Sequence, residues 1–94
     1  MNRTTSYRLA EIICGKRQEF DDDTTVSLYH EVMAKILVTR VRACTPIRGD
    51  VNATCETIEQ LDQNYPVVHG WISYLESHCD TKRLMHYVSL ATAG

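Results

Sequence analysis

Apolar side chains recur through this chain at intervals of three and four residues. That spacing aligns them along one side of an α-helix, whose residues are about 100° apart around the axis. Five stretches keep the rhythm. The first spans about Thr5 to Lys16 and gathers Leu9, Ile12 and Ile13, with Phe20 extending the stripe and Gly15 next to Lys16-Arg17 marking an end. Asp21-Asp22-Asp23-Thr24-Thr25 then offers carboxylates and hydroxyls to the unpaired amides of a second helix start. That helix is predicted to run to Ala43 or Cys44 and to bury Tyr29, Val32, Met33, Ile36, Leu37 and Cys44, until Pro46 stops it.

Asp50 or Asn52 caps a third segment carrying Val51, Cys55, Ile58 and Leu61 and ending near Asn64. Pro66 suits the first position of a fourth, in which Val67, Val68, Trp71, Ile72, Tyr74, Leu75 and Cys79 cover a wide sector. Asp80-Thr81 opens a fifth with Leu84, Met85, Tyr87, Val88, Leu90 and Ala91. No segment alternates with a period of two, and no Asn-Gly or Asp-Gly hairpin turn occurs. The expected fold is therefore all-α, a compact bundle of four to five short antiparallel helices forming one domain over residues 1–94.

Composition agrees with a folded chain: of 94 residues, 44% are apolar and 23% charged. A net charge of −2 and a pI near 6.0 disfavour a general nucleic-acid binder, which would carry an excess of Lys and Arg. No apolar stretch of secretory or membrane-spanning length is present, so the expected setting is cytoplasmic, without membrane attachment. Cys14, Cys44, Cys55 and Cys79 then read as reduced thiols, with Cys44–Cys55 the natural pair in an exported chain. Arg48-Gly49-Asp50 reads as a turn and helix start and not as an adhesion motif.

The four thiols and four imidazoles lack the spacing of a zinc site, and no cofactor or metal is expected. Glycine loops for phosphate and a nucleophile elbow are absent too, so the sequence points away from an enzyme. His78 falls in the apolar sector of its helix, near Trp71 and Tyr74, and reads as a half-buried histidine satisfied by a backbone carbonyl or bridging to a partner; were it buried and neutral, stability would depend on pH.

Charge is divided between neighbouring segments. Lys35, Arg40, Arg42 and Arg48 have no acid among them, whereas Asp50, Glu56, Glu59 and Asp62 have no base. Packing of the two helices as a hairpin would pair them, and outward orientation would leave two surfaces of opposite sign. Arg40 lies inside the predicted apolar face of its helix, as a stem that snorkels its guanidinium to helix-end carbonyls or a neighbouring acid. The fifth helix is apolar over more than half its circumference, so it is either central or exposes an apolar edge. Met85, Tyr87 and Leu90 are the contact candidates in the second case, with Arg40, Arg42 and Arg48 as charged partners.

These features imply a non-catalytic helical protein that binds a larger protein and inhibits or regulates it. Inhibitors, immunity proteins, antitoxins and phage-type antagonists share this size and simplicity. A possible homodimer goes with the exposed edge. The alternative is a dimeric DNA-binding transcriptional regulator using the Lys35–Arg48 stretch, although no helix-turn-helix with a basic recognition helix stands out.

Overall fold

The computed structural model describes residues 3–17 and 27–93. The Phe20 extension and the Asp21–Thr25 cap lie outside the described residues. Among these residues the chain forms five helices and no strand: α1 (Arg3–Ile13), α2 (Leu28–Cys44), α3 (Val51–Asn64), α4 (Pro66–His78) and α5 (Thr81–Ala93). The protein is an all-α bundle.

Helix ends follow local chemistry. α1 closes in a Schellman arrangement: Lys16 N–H donates to the Glu11 carbonyl (2.8 Å) and Gly15 N–H to that of Ile12 (3.0 Å). Gly15 takes φ +72°, which a side chain resists, and no atom crowds the place a Cβ would occupy. Gly15→Ala should therefore lose about 1 kcal/mol through backbone strain alone, read as a lowered midpoint in urea unfolding. α2 begins after Ser27, whose N–H donates to Tyr87 Oη (3.0 Å). At its other end the Thr45 hydroxyl donates to the Val41 carbonyl (2.6 Å) before Pro46. Asp50, and not Asn52, caps α3 through Ala53 N–H (2.9 Å), after a turn in which Gly49 adopts φ +78°. Pro66 opens α4, and Asp80 caps α5 by accepting from Arg83 N–H (2.8 Å).

One apolar core joins all five helices. α1 contributes Leu9, Ala10 and Ile12; α3 contributes Cys55, Ile58 and Leu61; α4 contributes Val68, Ile72 and Leu75. α5 runs through the middle, packed on α1, α2 and α4, and Leu84, Met85, His86, Tyr87, Val88 and Ser89 are all buried. This corrects the expectation of an exposed apolar edge. Met85 and Tyr87 are 1% and 2% exposed, so they are core residues and not contacts for a partner, and Leu90 is half-buried. A helix apolar on most sides is surrounded here because neighbours lie on each of them.

α2 brings the other correction. Ala34, Leu37, Val38 and Val41 form its buried face, whereas Tyr29, Val32, Ile36 and Cys44 are exposed and Met33 is half-buried. Of the six residues predicted for its core, only Leu37 is fully inside. The helix has two apolar sectors, and the one with the smaller side chains faces inward. Ala34, 0% exposed, leaves room for a neighbouring helix to approach closely.

Candidate functional site

The outward sector of α2 is the most unusual surface of the molecule. Leu28 (74% exposed), Tyr29 (62%), Val32 (47%) and Ile36 (46%) stand at helical spacing and form an apolar stripe along the solvent side. Small soluble proteins seldom expose a contiguous apolar strip without a use for it. The stripe continues onto α4 at its N-terminal end, where the ring of Tyr29 meets that of Tyr74 edge-on at 5.8 Å. Tyr74 in turn stacks on His78 at 3.8 Å, and His30 fills the space between Tyr74, His78 and Tyr87 with ring centres 5.5–6.0 Å away.

His78 is exposed where half-burial is expected, and its Nδ1–H makes the expected bond to a backbone carbonyl, that of Tyr74 (2.8 Å). His86 is the buried imidazole. Its Nδ1 is the one buried side-chain nitrogen or oxygen without a hydrogen-bond partner among the described residues. Its burial follows from the central place of α5, which its neighbours in sequence do not reveal.

The basic end of the stripe is as the charge pattern suggested, and of its four basic residues one is paired among the described residues. Lys35 lies 3.6 Å from Glu31 one turn before it on α2. Arg40 and Arg48 are exposed and Arg42 half-buried, and none has an ion pair among the described residues. The acids of α3 go elsewhere: Glu59 pairs with Arg3 of α1 and Asp62 with His69 of α4 (2.9 Å), while Asp50 is occupied as a cap. The expected pairing of the two segments across a seam therefore does not occur, because α3 packs chiefly on α1. Among the described residues Arg40 makes no bond to helix-end carbonyls or to an acid either, so the snorkelling expected of it is not found there.

Arg42 and Arg48 instead line a cavity of about 320 Å³ between α1, the end of α2 and the start of α3, together with Cys14, Thr45, Gly49 and Thr54. Arg40 is not among its lining residues.

All four cysteines are free thiols. Burial, followed by the hydrogen bond from its Sγ to Glu59 Oε1 (3.4 Å) and the charge of that carboxylate, pushes the Cys55 thiol above its ordinary value. Burial likewise raises Cys79, with Arg83 opposing the shift. Among the described residues no group of three or more His, Cys, Asp and Glu side chains is placed to hold a metal ion, and no helix is long and apolar enough to cross a membrane. No protein-family model matches the chain, and no curated protein or solved structure matches it either.

Proposed function

We propose that this chain is a non-catalytic protein-binding module of the cytoplasm, which inhibits or regulates a larger protein by docking the outer face of α2 upon it. The carrying observation is the exposed stripe of Leu28, Tyr29, Val32 and Ile36. Tyr29, Val32 and Ile36 sit at i, i+3 and i+7, the spacing with which a helix seats its apolar anchors in a partner's groove. Tyrosine and arginine are enriched at the centres of such contacts, and both occur here in Tyr29, Tyr74 and Arg40. Arg40, unpaired among the described residues at the far end of the stripe, selects a partner groove that ends in a carboxylate.

A photoreactive residue placed at Val32 should cross-link one protein of defined mass in extracts of the native host. The same residue at Gln60, on the exposed side of α3, should cross-link none. Equal labelling from both positions, or none from Val32, would overturn the reading; a product of twice the chain's mass would identify the partner as a second copy.

The second reading, a dimeric DNA-binding regulator, draws support from Arg40, Arg42 and Arg48, which have no ion pair among the described residues. It is opposed by the net charge of −2 and by the burial of Met85 and Tyr87, which removes the dimer contact envisaged on α5. Retention on heparin with steep release by salt would favour it.

A further inference from the structure

The cavity at the base of α2 is separate from the docking stripe, and we infer that it is a binding site for a phosphate monoester, held between Arg42 and Arg48. Its volume of about 320 Å³ is at the small end for ligand pockets and suits a compact ligand. No carboxylate is among its lining residues, and neither guanidinium has an ion pair or hydrogen bond among the described residues. The nearest acid in sequence, Asp50, is not among the lining residues and caps α3 by accepting from Ala53 N–H.

The polar groups between the arginines are already spent in a way that leaves charge to do the recognition. The Thr45 hydroxyl gives its hydrogen to the Val41 carbonyl (2.6 Å), and that of Thr54 gives its own to the Asp50 carbonyl (2.8 Å). Since Thr54 has no second hydrogen, the 3.3 Å contact between Cys14 Sγ and Thr54 Oγ1 has the thiol as donor. The side-chain donors that remain for a ligand are the two planar guanidiniums, whose forked N–H groups match the oxygens of a phosphate. The C-terminal end of α2 carries a partial negative charge, which two full positive charges outweigh.

Cys14 provides a reporter inside the cavity. Its alkylation by anionic iodoacetate and by neutral iodoacetamide, resolved by peptide mass spectrometry, should be compared with that of glutathione in the same solution. At low salt the iodoacetate-to-iodoacetamide rate ratio should be about tenfold higher at Cys14, the lower end of the enrichment expected in a cleft of one charge sign. The ratio should fall toward that of glutathione in Arg42→Gln and Arg48→Gln, and also at raised ionic strength. Glycerol phosphate and a phosphoserine peptide, added separately, should protect Cys14. Stronger protection by the first marks a free metabolite and by the second a phosphorylated side chain.

A ratio equal to that of glutathione, a ratio unchanged in both arginine variants, or protection by neither ester would overturn the site. Should Cys14 react with neither reagent, calorimetric titration with glycerol phosphate decides. Binding by the unaltered chain that is lost in both variants upholds the site, and absence of binding ends it.

Discussion

Tyr87→Ala should remove about 3–5 kcal/mol of stability, the range for deleting a buried aromatic ring. The ring is 2% exposed, meets His30 edge-on at 5.5 Å, and its hydroxyl accepts the amide of Ser27 just before α2. Truncation would open a void at the centre of the bundle and leave that amide without its partner. A domain of this size has a total stability of about 5–15 kcal/mol, so urea unfolding followed by circular dichroism should show a much lower midpoint or a partly unfolded population in buffer. Tyr87→Phe keeps the ring and loses only the acceptor, and should cost about 1 kcal/mol. Were Tyr87 a surface contact, both variants would stay within about 0.5 kcal/mol of the parent chain.

Val38→Asp should unfold the protein, whereas Val32→Asp should change its stability by less than about 1 kcal/mol. The two positions lie in the same helix and begin as the same side chain. Val38 is 2% exposed and Val32 is 47% exposed. At position 38 the substitution loses about 1.5–3 kcal/mol of apolar burial, and enclosing a carboxylate without a partner adds several kcal/mol more. At position 32 the new charge stands in water near the N-terminal part of α2, where the helix dipole tolerates it. Thermal melts of the pair distinguish the two faces directly: unfolding by Val32→Asp with tolerance of Val38→Asp would reverse the assignment of α2. If the outer face docks a partner, Val32→Asp should also abolish docking in a chain that remains folded.

What the sequence made legible was governed by neighbours a few residues apart. Gly15, Asp50 and Asp80 mark helix ends through bonds spanning three to five residues and Pro66 through its missing amide, and the structure uses all four at helix ends. The face of α2 was harder. A helical wheel ranks sectors by their side chains, and the sector with Tyr29, Val32 and Ile36 outranks the one with Ala34, Leu37, Val38 and Val41. Which sector turns inward depends on the helices across from it, and the small Ala34 counts in its favour only once that contact is known.

The same limit applies to charge. The segregation of Arg40, Arg42 and Arg48 from Glu59 and Asp62 is visible in the chain. That Arg3 and His69 claim those acids, and so leave the arginines unpaired among the described residues, follows only from the packing. The arginine-lined cavity combines positions from 13 to 54, too scattered to form a motif; only its surplus of positive charge could be seen beforehand.

The central place of α5 has a consequence for how the molecule is made. α1 and α2 both rest on a helix synthesised after them, so during translation the part of their apolar surface that α5 covers must wait uncovered. Bringing α1 against α5 closes a loop of most of the chain, an entropically demanding step that local helix formation cannot complete. Nascent chains halted before Thr81 should therefore remain open to proteases and chaperones, and release of the fifth helix from the ribosome should be the event that locks the bundle.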